Sequence, residues 1–143
     1  MTTNVYDLPA EELTIAVAER VMEWTLTNYE TGNPVTSGEE YGDAMNSDGW
    51  VWEGRAGGQE AWQWEPMANL NHAFEITKPG WLWSTKEIDV ATLAGRELHV
   101  EIRAEYGHTQ LCSTSVWLQE DVIGSHCRAR CICALWACGI KEI

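Results

Sequence analysis

Between Glu97 and Glu105 apolar and polar residues alternate without a break. Leu98, Val100, Ile102 and Ala104 fall on one side of an extended chain, and His99, Glu101, Arg103 and Glu105 on the other. A period of two with a single apolar face describes a strand that covers a core on one side and meets solvent on the other. That is the habit of antiparallel sheets, since parallel strands are buried on both faces. The runs Trp81–Ile88 and Gln110–Gln119 flank it, with Tyr106-Gly107-His108-Thr109 as the second turn, and predict a three-stranded meander.

Such a sheet needs helices on its apolar face, and three segments carry helical signals. Asp7, Pro9, Glu11 and Glu12 read as a helix start, with acids near the positive end of the dipole. Leu13, Val17, Val21 and Trp24 then recur at helical spacing, which predicts a helix over 8–25. Pro66 opens a second, to about Thr77, with Met67, Leu70 and Phe74 on one side and Pro79-Gly80 as its stop. A third is expected from Ser125 to Cys138, with Cys127, Cys131, Leu135 and Cys138 on one face and Gly139 in the usual terminating position. Residues 28–49 show no apolar period and read as a long loop. The Trp-rich runs on either side of Arg55-Ala56-Gly57-Gly58-Gln59 read as a hairpin insert over 50–64. The expected fold is α+β, a layered sandwich of an antiparallel sheet with three helices in the order α-ββ-α-βββ-α, in a single domain spanning 1–143.

Nine Lys and Arg stand against 22 Asp and Glu, a formal net charge of −13. This excludes a nucleic-acid duplex and an anionic membrane surface as natural partners, because both are held by clustered cations. It favours a basic protein or simple solubility. Five cysteines are an odd number, four of them fall between 127 and 138, and no basic segment followed by an apolar run opens the chain. These features predict reduced thiols, a cytoplasmic location and no membrane span.

Three segments resemble the phage ABA-sandwich domain family. Leu13-Thr14-Ile15-Ala16-Val17-Ala18-Glu19-Arg20-Val21-Met22-Glu23-Trp24 is similar to that family's opening helix. Glu65-Pro66-Met67, leading to Ala73 and Phe74, is similar to its middle, and Cys127-Arg128-Ala129-Arg130-Cys131-Ile132-Cys133-Ala134-Leu135 to its closing helix. The Trp-rich insert and the cysteines of the last helix depart from the pattern. The resemblance implies a phage or prophage origin and an α/β sandwich, and carries no catalytic residues with it.

The chemistry-bearing patterns are few. Trp50/Trp52, Trp62/Trp64 and Trp81/Trp83 are spaced two apart, which on a strand places both rings on one face. Such rings either fill a core or make a platform on which bases stack at about 1–3 kcal/mol each. Ser125-His126-Cys127-Arg128-Ala129-Arg130 places two guanidinium groups near an expected helix N-terminus, where an anion would be welcome. The alternative is that both pair with acids such as Glu120 and Asp121. His126, Cys127, Cys131, Cys133 and Cys138 offer metal donors, but the thiols at 131 and 133 point apart on a helix, so no metal is expected. No nucleophile elbow, phosphate loop or zinc-protease motif occurs, so neither a catalytic activity nor a cofactor is expected.

The sequence therefore predicts a non-enzymatic, homo-oligomeric phage counter-defence protein that sequesters a small nucleotide-type host signal, such as a cyclic oligonucleotide or an ADP-ribose. Its candidate site combines Trp50, Trp52, Trp62 and Trp64 with Arg55, Arg128 or Arg130, or with Arg103, His99 and Trp117 on the meander. The alternative is an acidic, nucleic-acid-mimicking inhibitor that binds a basic host protein.

Overall fold

The computed structural model describes every residue except Met1, Ser37, Gly58 and Gln119. The described residues form an α+β sandwich with four α-helices and two antiparallel sheets. A 3-10 turn at Val5–Asp7 leads into α1 (Ala10–Ala16), which continues as a π-helical turn over Val17–Val21. Strand β1 (Thr25–Asn28), helix α2 (Gly38–Asn46) and strand β2 (Trp50–Glu53) follow. After them come a 3-10 turn at Ala61–Gln63 and helix α3 (Leu70–Phe74). The meander is β3 (Trp81–Thr92), β4 (Gly95–Tyr106) and β5 (Thr109–Trp117), and α4 (Val122–Ala137) closes the order.

The alternation in β4 does what its period requires from Val100 onward, while Leu98, expected on the same face, is 40% exposed beyond the edge of the core. Val100 and Ala104 are fully buried and Ile102 nearly so, while their neighbours Glu101, Arg103 and Glu105 lie on the outer face, only partly covered. The inner face packs on α4, whose Ala129 and Cys133 join Val100, Ile102, Ala104 and Cys112 in one apolar cluster. The opposite side of α4 brings Cys131, Ile132, Ala134 and Leu135 against Leu13, Val17 and Val21 of the first helix. Helix α4 is thus the middle layer, with the sheet on one side and α1 on the other. This explains why its apolar residues circle it rather than forming a stripe. Each fully buried Leu, Ile or Val here contributes about 1.5–3 kcal/mol of hydrophobic stabilisation.

Several expectations are corrected. The segment 28–49 is not an unstructured loop: it carries the end of β1 and the whole of α2. Gly42, Asp43 and Asn46 are poor helix formers, so α2 leaves little trace in the pattern; tertiary contact through Ala44 and Tyr41 holds it. The run 50–64 is not a full hairpin: a single antiparallel bridge, Val51↔Glu60, joins its two arms. Strand β2 pairs instead with β1, in register from Thr25↔Glu53 to Asn28↔Trp50, and residues 61–63 coil into a 3-10 turn held by a Glu60/Gln63 capping box. Its expected turn includes Gly58, which lies outside the described residues, as do Ser37 of the expected loop and Gln119, the expected end of the last strand. Helix α3 is shorter than 66–77, because Asn69 caps it late by accepting from the amides of Asn71 and His72.

Helix α4 starts one turn earlier than Ser125. Asp121 is its cap, accepting from the amide of Gly124 at 2.9 Å. Gly54 is required where it stands: with φ of 109° its backbone is left-handed, and a Cβ there would lie 2.7 Å from the Trp24 ring.

Candidate functional site

The widest of the described cavities, about 390 Å³, runs between α1 and α2. Its floor is apolar, made by Leu8, Ile15, Ala16 and Ile143, and Glu11, Glu12 and Glu19 stand along it with Arg20 as the one cation. None of these three carboxylates has a cation within 4.0 Å among the described residues. Glu19 accepts a 2.5 Å hydrogen bond from the Tyr41 hydroxyl, which ties α2 to the π-helical turn and closes one side of the groove. Burial, then that hydrogen bond and the Glu19 charge, push the Tyr41 phenol up to about 12. A π-turn breaks the regular 3.6-residue phase, and such turns recur at functional sites. Here it carries Glu19 and Arg20.

The tryptophan platform is taken apart by the fold. Trp52 and Trp64 are 3% and 1% exposed, and with Trp24 they form an edge-on cluster at centroid separations of 5.0 and 6.4 Å. Trp64 donates to Glu75 at 2.6 Å, while the Trp52 indole N–H is buried with no acceptor among the described residues. Trp50, in register with Asn28, is half-buried against the same core. Because 61–63 coil, Trp62 and Trp64 diverge: Trp62 is 41% exposed and bonds Asp48. Trp81 and Trp83, on the inner face of β3, pack at 5.8 Å from each other.

The cations expected to meet these rings are also engaged. Arg55 pairs with Glu75 through Nε and Nη2 and with Gln59 through Nη1. It lines a cavity of about 320 Å³ with Trp52 and the exposed Tyr29. The earlier start of α4 moves Arg128 and Arg130 away from its N-terminus, so neither is placed to hold an anion there. Arg128 donates instead to the carbonyls of Tyr6 and Leu8, at 2.7 and 2.9 Å. Arg130 is buried and donates to the carbonyls of Ile76 and Phe74, with its guanidinium 3.5 Å from the Trp83 ring centroid. Neither forms an ion pair with Glu120 or Asp121.

His99, Arg103 and Trp117 share the outer face of the meander, with His99 directly opposite Trp117. Carboxylates of β4 occupy the first two: Glu97 lies 3.2 Å from His99 Nε2, and Glu101 accepts from Arg103 at 3.0 Å and meets Lys86 of β3 at 3.6 Å. Arg103 lines a small cleft of about 140 Å³ with Ser84, Lys86 and Glu101, apart from the cavity of Trp52 and Arg55.

Four of the five cysteines are buried, and Cys127 is pushed up to about 11 by burial and the nearby Asp121. Among the described residues no three His, Cys, Asp or Glu side chains converge on a metal position, and no helix is long and apolar enough to cross a membrane. Sequence reasoning found the buried stripe of Leu13, Val17, Val21 and Trp24 and the acids Glu11 and Glu12 at the helix start, but it missed Ile15 and the groove. The second wall is α2, whose helix the pattern conceals. No protein-family model, no curated protein and no solved structure matches the chain.

Proposed function

We propose that this protein is a non-catalytic binding module that receives a basic, amphipathic segment of a partner protein in the groove between α1 and α2. The observation behind this is the pairing of an apolar floor with three carboxylates that form no ion pair among the described residues, at the widest described cavity of a chain with net charge −13. Apolar anchors of a helical segment enter such a floor at i, i+3 and i+4 spacing, and flanking Lys or Arg meet the rim. The rim charges then govern association rate and salt dependence, and the floor governs lifetime. Taken with the resemblance to phage proteins, the partner is a basic host factor and the role is inhibitory.

The test is a fluorescence-anisotropy titration with a labelled Lys/Leu amphipathic peptide, beside a peptide of equal charge with Ser in place of Leu. Ile15→Asp is expected to abolish preference for the amphipathic peptide. Glu11→Lys with Glu12→Lys is expected to weaken binding about tenfold, or ~1.4 kcal/mol, and to flatten its salt dependence. Equal affinity for both peptides, or indifference to the charge reversals, rules the groove out.

A second reading is favoured by one observation: Tyr29, Trp52 and Arg55 line a single cavity of about 320 Å³. A small planar anion, including the nucleotide-type signal expected above, would stack on Tyr29 and compete with Glu75 for Arg55. A thermal-shift screen against cyclic dinucleotides and ADP-ribose tests it, since a bound ligand raises apparent stability. Tyr29→Ala should erase any such shift without touching peptide binding.

A further inference from the structure

Arg130 is 8% exposed, yet among the described residues no carboxylate lies within 4.0 Å of it, in a chain with 22 acids. Its Nε and Nη2 reach the carbonyls of Ile76 and Phe74, and the faces of Trp83 and Phe74 flank it at 3.5 and 5.6 Å. Carbonyl dipoles and ring quadrupoles attract the cation but leave its full charge standing. No hydrogen bond to a described residue engages Nη1.

Arg130 lines a cavity of about 290 Å³, just below the ~300–1,000 Å³ typical of ligand sites. Ile102 is part of its lining, and His126 adds a second polar group. Phe74, Val122 and Ile123 also line it and are 58%, 46% and 50% exposed. Val and Ile in succession in the opening turn of a helix, beside an exposed Phe, leave apolar surface that a solvated helix start has no use for.

We infer that the cavity between α3, β4 and the start of α4 binds a small amphipathic carboxylate. Its headgroup meets Arg130 Nη1 and His126, and its aliphatic or aryl tail lies against Phe74, Val122 and Ile123. Mostly apolar walls with one or two convergent polar groups are the usual composition of such sites. A guanidinium without a counter-ion selects the anion over a neutral ligand of the same shape. The site is separate from the groove of α1 and α2, and its occupancy is independent of peptide binding there.

The test is an amide NMR titration of the full chain with octanoate, octan-1-ol and acetate. Octanoate in the low-millimolar range is expected to shift Phe74, Val122 and Ile123, with octanol about tenfold weaker and acetate weaker still. Arg130→Met keeps the buried stem and removes the charge, and should abolish the preference for octanoate over octanol. Should that variant fail to fold, Ile123→Glu, at a half-exposed position, places a like charge at the mouth and should weaken octanoate about tenfold or more. Equal binding of octanoate and octanol, shifts confined to other amides, or octanoate affinity unchanged in Ile123→Glu overturns the inference.

Discussion

Trp62 and Trp64 are the same residue type two positions apart, and the fold treats them oppositely. Trp64 is locked between Trp24, Trp52 and Glu75, whereas Trp62 stands at the surface with one bond to Asp48. Trp64→Ala is expected to cost about 3–5 kcal/mol and Trp62→Ala less than about 1, as read by denaturant midpoints at constant m. Similar losses for the two would mean that residues 61–63 do not coil as described. Glu23 makes a second point at this scale. It holds φ of 59°, the left-handed position that ends the first helix, where Trp24 N bonds back to Ala18 O at 2.9 Å. Glu23→Gly is therefore expected to stabilise the protein by about 0.5–1 kcal/mol, the reverse of the usual effect of glycine. A lower melting temperature would contradict it.

Helix α2 is the element whose presence decides whether the groove exists, and the Tyr41–Glu19 bond is what ties it to α1. The folded state holds the Tyr41 proton to about pH 12, against an ordinary value near 10. Burial is the largest cause of this rise, with the bond and the Glu19 charge adding to it, so the stability gained from keeping Tyr41 protonated is fully present below pH 10 and is lost as pH rises through 12. Burial also raises the Tyr6 phenol, so ultraviolet titration should show late tyrosine ionisation from both, and Glu19→Gln should bring the Tyr41 step down, since it removes the charge and keeps only a neutral acceptor. If the Tyr41 step survives Glu19→Gln unchanged, burial alone sets it and the tie is dispensable. Helix α4 teaches the complementary lesson. Moving its start from Ser125 to Val122 is a shift of one turn, yet it converts Arg128 and Arg130 from anion donors at a dipole end into ties to distant carbonyls. The cap at Asp121 was legible as a residue type. The turn of Val122, Ile123 and Gly124 before the cysteines was not, because a β-branched pair followed by glycine argues against a helix locally and only packing overrides it.

Across the whole molecule, α4 is buried on both sides, so its thiols report on global unfolding. Of the five cysteines only Cys138 is partly exposed. A thiol reagent is expected to label at most that one in the native protein, and the other four only at the rate of unfolding. Rapid labelling of two or more would show that the sheet and α4 separate without global unfolding.

By itself the sequence determined the meander, the buried stripe of the first helix, the presence of a closing helix and the acidic balance. Each rests on a periodicity or a composition that local chemistry enforces. Only the tertiary structure decided that β2 builds its ladder with β1 and makes just the Val51–Glu60 bridge with the segment after it, that α2 forms, and that most tryptophans turn inward. It alone decided which arginines stay without a carboxylate. Those outcomes depend on contacts between residues far apart in the chain, where burial outweighs local preference and a side chain's partner is whichever group the packing brings within reach.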